Sequence, residues 1–304
     1  MRIIDADQVR SLGFVAATQA IVDALRAGVD PAAGPPRIGV DLPAGQMLLM
    51  PAHDSAAAGV KVVTVAPQNS ARGLPRIQAT YLLFDGTTLA LQALIDGTAL
   101  TTLRTPALSM AGALPCIGHL PLDVVVIGCG PQALGHAEAL AAHRELASLT
   151  YLVRETARSH LPAEASQAIL GSSAATDALR AAEVVVCATS AREPLFDSAL
   201  LRQDAVVITV GSHEPDAREL DANLMGRAFV IVEDVHTALR EAGDVAMAVA
   251  AGALDPSSLV SLARLVRGEV PVPADRPVVI KTVGMAWEDL AVARAAYSAA
   301  SAAR

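Results

Sequence analysis

Lys61 and Lys281 are the only lysines in a chain of 304 residues whose lysines and arginines together number 23. Arginine replaces lysine freely on a solvated surface. It does not do so where the amine must fit a tight site or give up a proton. Both lysines stand in apolar, strand-like stretches, Ala58–Ala66 and Arg276–Gly284. Each therefore has either a chemical role or a snorkelling one, with its stem buried and its amine in water.

A second kind of chemistry is written in Gly128-Cys129-Gly130-Pro131-Gln132-Ala133, a G-x-G-x-x-A turn. A β-branched run, Val124 to Ile127, precedes it, and Ala133, Leu134, Ala137 and Leu140 follow at helical spacing. Strand, glycine turn and helix in that order form the context a dinucleotide fingerprint requires. Gly128 permits the tight turn, Gly130 lets backbone approach a pyrophosphate, and Ala133 lets the helix sit close to the strand. The helix start offers free N–H groups to phosphates, and Pro131 fits the first turn because its missing N–H costs nothing there. An ordinary glycine turn in an α/β sheet is the plainer alternative.

Ligands bind beyond the carboxyl ends of parallel strands. Arg154 directly follows the second strand of the series, and Glu155, Thr156 and Arg158 come after it. An acidic residue there would bind the ribose 2′-hydroxyl of NAD, whereas an arginine suits a 2′-phosphate. Glu155 blurs this choice, and Arg154 favours NADP(H) over NAD(H). Later strand ends carry Thr189-Ser190, Val210-Gly211-Ser212-His213 and Lys281-Thr282-Val283-Gly284. Small and hydroxyl residues there would let the nicotinamide ribose approach. Taken singly, each is also explained as a loop-capping serine or threonine.

These residues need a scaffold, and the chain supplies two kinds. From Leu122 onward, strand candidates (Val124–Ile127, Leu149–Val153, Val184–Ala188, Ala205–Val210, Phe229–Val232, Val278–Ile280) alternate with helical stretches. Such alternation predicts a Rossmann-type, doubly wound parallel sheet. The first part reads differently. Asp5 or Asp7 caps a helix running from Val9 to Leu25 that Pro31–Pro36 ends. Strand-like pieces follow at Arg37–Leu42, Met47–Met50, Val60–Ala66, Ile77–Phe84 and Leu89–Ile95, the last two joined at Asp85-Gly86-Thr87 as a hairpin. Asp96 or Thr98 then starts a helix through Leu103, Ala107 and Met110, despite Pro106. The expected organisation is an α+β substrate and dimerisation domain from residues 1–119 with 285–304, and a dinucleotide-binding domain over 120–284. The last helix, Met285 to Ala300, would pack back on the first domain.

Composition narrows the partners. Apolar residues make up 53% of the chain, an excess owed mostly to alanine, which hints at a buried oligomer interface. The net charge of −8, with no basic run, argues against nucleic acid or an anionic membrane surface. No apolar run reaches spanning length, and the start lacks the pattern of a signal peptide. Cys116, Cys129 and Cys187 are odd in number and lack metal spacing, so they read as thiols of a reducing compartment, the cytoplasm. His119, His136, His143, His160 and His236 show no metal-ligand spacing either, and no metal site is expected.

With these residues laid out, the chain resembles the ornithine cyclodeaminase/mu-crystallin family over nearly its whole length. The matching segments are Pro35-Pro36-Arg37, Met50-Pro51-Ala52, Gly59-Val60-Lys61, Leu100–Thr105 with Arg104, and the glycine turn with Gln132. Gly211-Ser212-His213-x-Pro215 with Glu219-Leu220-Asp221, and Lys281–Gly284 with Glu288-Asp289, complete the set. The resemblance implies a homodimer that acts on a small α-imino or α-amino acid with NAD(P). By motif, Arg37, Lys61 and Arg104 would hold the substrate carboxylate, His53 would line the pocket, and Arg76, Arg104 and Thr105 would reach the cofactor. Thr282 matches a family serine near the nicotinamide. Paired arginines suit a carboxylate through charge-assisted bonds. A lysine among arginines should lose its proton more readily and serve in acid–base work near neutral pH. Glu288 and Asp289 would support the nicotinamide loop or be an ordinary acidic first turn. Asp221 and Asp234 are read as helix caps.

One position departs from the family pattern. Cyclodeaminases carry an aspartate two residues before the proline, where His213 stands here. Histidine does acid–base work but does not anchor a distal ammonium. The expected reaction is therefore reduction of a cyclic ketimine, Δ1-pyrroline-2-carboxylate or Δ1-piperideine-2-carboxylate, to proline or pipecolate. Amino-acid dehydrogenation or reductive amination, ornithine cyclodeamination, and a mu-crystallin-like binding role are the alternatives.

Overall fold

In the computed structural model the described residues are 1–155 and 161–302, the side chain of Ser70 excepted. Thr156, Arg158 and His160 lie outside the described residues. The chain divides into two compact units, Met1–Leu108 with Gly284–Arg304, and Ser109–Val283. The division falls eleven residues before the expected one, for a local reason. Ser109 Oγ bonds His136 Nε2 at 2.9 Å, and a side chain on Gly112 would stand 3.1 Å from Ile280, so this stretch packs with the second unit.

The first unit begins with β1 (Arg2–Ile4), α1 (Ala6–Arg10) and α2 (Gly13–Arg26). Asp5 caps α1 in a reciprocal box with Gln8. The single helix expected here is two, because the chain turns at Ser11-Leu12 and Gly13 takes φ +73°, which favours glycine. β2 (Ile38–Leu42), β3 (Gly45–His53), β4 (Ala57–Val65), β5 (Ile77–Asp85) and β6 (Leu91–Asp96) follow, then α3 (Gly97–Ala113). Asp96 Oδ1 accepts the Ala99 N–H at 2.8 Å and so starts α3. The six strands order as β1-β6-β5-β4-β3-β2, antiparallel except for β1 beside β6.

The second unit holds β7 (Leu122–Ile127), α4 (Pro131–His143), β8 (Leu146–Val153), β9 (Ser166–Ile169), α5 (Ser173–Ala181), β10 (Val184–Cys187) and β11 (Val206–Thr209). It continues through α6 (Ala222–Arg227), β12 (Phe229–Val232), α7 (Val235–Glu241), α8 (Gly243–Ala250), β13 (Val260–Ser261), α9 (Leu262–Val266) and β14 (Val278–Lys281). All eight strands are parallel, in the order β13-β12-β14-β11-β10-β7-β8-β9. The order reverses between β7 and β10, so this is a doubly wound sheet with its switch point at the end of β7. β10, β11 and β14 are buried at every position, as uninterrupted β-branched runs require of strands covered on both faces. Their register puts Ile127, Cys187, Thr209 and Lys281 in one row, and the residues that would meet a ligand follow directly after it. β1, β9 and β13 were not expected. They are two to four residues long, too short for a hydrophobic period to register.

The last helix, α10 (Ala286–Ala302), returns to the first unit and packs on α2 and on β3, β4 and β5. It covers the sheet face that carries Met50, Gly59, Lys61, Val63, Tyr81 and Leu83. The opposite face carries Leu49, Val60, Val62, Leu82 and Leu94, half-buried, and ends in β2, where Ile38, Val40 and Leu42 are 52%, 42% and 40% exposed. Among the described residues, no helix is long and apolar enough to cross a membrane.

Candidate active site

Lys61 sits mid-strand in β4, opposite Met50 and Tyr81, with its side chain turned toward α10 and only 2% exposed. Its Nζ lies 3.0 and 2.8 Å from the two carboxylate oxygens of Asp289, in the first turn of α10. Burial lowers its pKa to about 8, against the opposing pull of Asp289, and Arg104 lowers it further. The flanking arginine anticipated from sequence is thus a lesser cause than desolvation. Arg104, from α3, donates Nε to Asp289 at 3.1 Å and Nη1 to Glu288. The second oxygen of Glu288 accepts the Met285 N–H at 2.9 Å, which closes the turn that leads into α10. Gly284 takes φ +82°, and a side chain there would stand 2.9 Å from both terminal nitrogens of Arg104. Arg37 Nη2 donates to the Gly284 carbonyl at 3.1 Å.

The three cations named from sequence therefore converge on one segment, Gly284–Asp289. Two buried carboxylates hold two of them, and Glu288 and Asp289 are counter-ions as well as an acidic first turn. His53, at the end of β3, and Arg76, just before β5, are exposed, and Thr105 is half-buried in α3.

In the second unit the glycine turn is formed as its spacing requires. Gly128 takes φ +119°, and a side chain there would press within 2.6 Å of the Ala188 carbonyl. Gly130 caps α4 with nothing within 4 Å of where its side chain would stand, Pro131 opens the helix, and Ala133 is fully buried. Asp or Ser side chains cap α5, α6, α7 and α9, whereas the start of α4 has no side-chain cap. The Gln132 Oε1 beside it is buried without a hydrogen-bond partner. Open backbone donors and a glycine cradle fit a dinucleotide pyrophosphate. Gly128→Ala is expected to cost about 1–3 kcal/mol of stability from backbone strain alone. It is also expected to weaken dinucleotide binding, as thermal melts and a binding titration would show.

The other strand-end residues occupy the same edge of this sheet. Arg154 is exposed directly after β8, Val210 directly follows β11, and Thr282 is buried directly after β14. Thr189 donates its N–H and hydroxyl to Glu219, and the Ser212 hydroxyl is used inside its own loop on the Ala217 carbonyl. His213 is exposed in that loop. Lys281 is no snorkelling residue. Its amine is buried, bonds the Ser212 carbonyl at 2.7 Å and pairs with Asp244 at 3.1 Å. His136, to which no chemistry was assigned, bridges Ser109 and the Gln132 carbonyl, and burial lowers its pKa to about 4, so it is neutral. Asp221 and Asp234 cap α6 and α7 as read. Asp244 and Glu233 were missed. Glu233 accepts the Val283 N–H at 2.7 Å, and only the rarity of acidic residues at apolar strand ends could have marked it.

The model of the ornithine cyclodeaminase/mu-crystallin family matches residues 5–304. The Delta(1)-pyrroline-2-carboxylate reductase 2 of Burkholderia ambifaria is 36% identical over 266 residues, which are 86% of this chain and 82% of that protein. The Delta(1)-pyrroline-2-carboxylate/Delta(1)-piperideine-2-carboxylate reductase of Azospirillum brasilense is 36% identical over 279 residues, covering 89% of this chain and 86% of its own. Among solved structures, a Delta(1)-pyrroline-2-carboxylate reductase of Thermococcus litoralis, in complex with NADH and L-proline, superposes with a TM-score of 0.88. It is 25% identical and covers 100% of this chain and 98% of its own.

Proposed function

We infer the function from one premise: the chain belongs to the ornithine cyclodeaminase/mu-crystallin family. It is an NAD(P)-dependent oxidoreductase that reduces the C=N bond of a cyclic ketimine carboxylate, Δ1-pyrroline-2-carboxylate or Δ1-piperideine-2-carboxylate, to proline or pipecolate. The observation that carries this reading is the cluster of Arg37, Lys61 and Arg104 about Gly284–Asp289.

Reduction of C=N adds a hydride to carbon and needs a proton on nitrogen. The dinucleotide, when bound, supplies the hydride. Arg37, Lys61 and Arg104 hold the carboxylate, which fixes the neighbouring carbon. The Lys61 ammonium gives the proton, because burial has brought its pKa near working pH while Asp289 keeps it oriented. Gly128, Gly130, Pro131, Gln132 and Ala133 hold the pyrophosphate. Thr189, Val210, Gly211, Ser212 and Thr282 flank the nicotinamide ribose, with Arg76 and Thr105 as further contacts. Arg154 receives the 2′-phosphate of NADP(H) in preference to the bare ribose of NAD(H). His213 is a further acid–base group, and His53 lines the substrate pocket.

The test follows loss of nicotinamide absorbance with each ketimine and each dinucleotide, with chromatography of the amino acid formed. Turnover of either ring, faster with NADPH, is expected. No turnover with any pair, and no proline from ornithine with NAD, would leave a binding protein.

A homodimer follows from the same reading, with the helix-free face of the first unit's sheet and β2 as its contact. Velocity sedimentation should give a dimer at micromolar protein, and Val40→Asp should shift it toward monomer. A monomeric wild-type protein would contradict the dimer.

A further inference from the structure

The loop between β11 and α6, residues 210–221, contains no helix or strand, yet it is fastened at both ends by buried charge. Glu219, fully buried, spreads its two carboxylate oxygens over two loops. One oxygen accepts the Thr189 N–H and hydroxyl, both at 2.8 Å. The other accepts the Thr209 hydroxyl at 2.7 Å and the Gly211 N–H at 2.8 Å. The Glu219 and Leu220 N–H groups in turn donate to Asp244 at 2.7 and 2.8 Å. Lys281 closes the circuit through Asp244 and the Ser212 carbonyl. Two glycines make this packing possible. A side chain on Gly211 would overlap the Thr189 carbonyl and the Glu219 carboxylate, and one on Gly243 would overlap the Ala217 carbonyl. The ends of β10, β11 and β14 are thus tied together by the protein's own groups.

We propose that Glu219, backed by the Lys281–Asp244 pair, is a positioning residue that holds the Thr189 and Gly211–His213 backbone in the arrangement that receives the dinucleotide. The proposal rests on the dinucleotide reading above and names residues that it leaves without a role. Ordering a loop costs backbone entropy at every residue, and a loop ordered in advance spares the ligand that cost. A carboxylate suits the task because it accepts from both loops at once. Glutamine would turn an NH2 group against the donors of one of them. A compact ammonium suits position 281 because the site admits no solvent and no broader group, which explains one of the two lysines the chain retains.

The test uses the full chain without substrate. Hydrogen exchange is measured over 189–191 and 211–220, and NADPH and NADH are titrated by nicotinamide fluorescence. In the wild type the Gly211, Glu219 and Leu220 amides should exchange as slowly as core helices. Glu219→Gln should speed exchange in both segments and raise the dinucleotide Kd by about tenfold or more. Ser172→Ala, which removes the cap of α5, should lower Tm without changing that Kd. Should Glu219→Gln fail to fold, Thr209→Val removes one donor and should move both readouts the same way by less. An unchanged Kd in a folded Glu219 or Thr209 variant, or a wild-type loop that exchanges freely, overturns the proposal alone. Wild-type protein that binds neither dinucleotide overturns the functional reading and the proposal with it.

Discussion

Lys61→Met is expected to lower kcat/KM for ketimine reduction by about 10²–10⁴-fold, the usual weight of a positioned proton donor. The substitution also removes one of the three cations proposed to hold the carboxylate, so KM should rise. Lys61→Arg separates the two effects. It keeps a positive charge near Asp289 but does not release a proton. It should recover part of the binding and little of the turnover, and full turnover in Lys61→Arg would exclude proton transfer by Lys61. The pH dependence has a definite sign. With its pKa lowered to about 8, Lys61 is charged below that pH and neutral above it. The kcat/KM for reduction should therefore fall above pH about 8, and Lys61→Arg should lack that limb. The corresponding limb in kcat should lie higher, because a bound carboxylate favours the ammonium. Stability moves the opposite way. Between about 8 and the ordinary lysine value of 10.5 the unfolded chain holds a proton that the folded chain has released, so this group makes stability rise with pH through that window. Equilibrium unfolding across that range should show the rise in wild type and lose it in Lys61→Met.

Arg104→Ala should be the most destabilising single change at the site. It removes the guanidinium from both Glu288 and Asp289, the two carboxylates remaining fully buried. Breaking a buried pair from one side costs about 3–5 kcal/mol, because a charge is left without compensation. At about 2–4 °C per kcal/mol for a large domain, Tm should fall by roughly 6–20 °C. Arg104→Lys should recover some stability, though not the two-sided grip on Glu288 and Asp289, and should bind substrate poorly. A melt of Arg104→Ala within two or so degrees of wild type would show that the quartet is solvated in solution and that its charges are not held as described.

The parts of this molecule legible in the sequence are the ones whose signal is local. Strand, glycine turn and helix stand side by side at Leu122–Leu140, and each has one physical reason to be there. The cations were legible because Arg37, Lys61 and Arg104 lie in short matching segments. Their counter-ions were not. Asp289 is 228 residues from Lys61 and 185 from Arg104, and nothing near Glu288-Asp289 distinguishes a buried pair from a solvated first turn. The role of Glu219 was hidden likewise, since its donors come from two other strand ends. Lys281 was noticed for its rarity, yet the partner that explains it, Asp244, belongs to a helix with no periodic or motif signal. The break at Gly13 was passed over because glycine inside a helical pattern carries only a modest penalty. The unit boundary moved because the end of α3 is claimed by long-range contacts of Ser109 and Gly112, not by the composition of the connector after it.

The most direct measurement follows the hydride itself. The protein is incubated with Δ1-pyrroline-2-carboxylate and a reduced dinucleotide carrying deuterium at its transferable nicotinamide position, and the amino acid formed is analysed by NMR. Proline bearing deuterium on the carbon next to its carboxylate, with Lys61→Met forming little of it, is the predicted result. Proline without deuterium at that carbon, or deuterated proline formed equally well by wild type and Lys61→Met, would contradict a grip that brings that carbon to the dinucleotide.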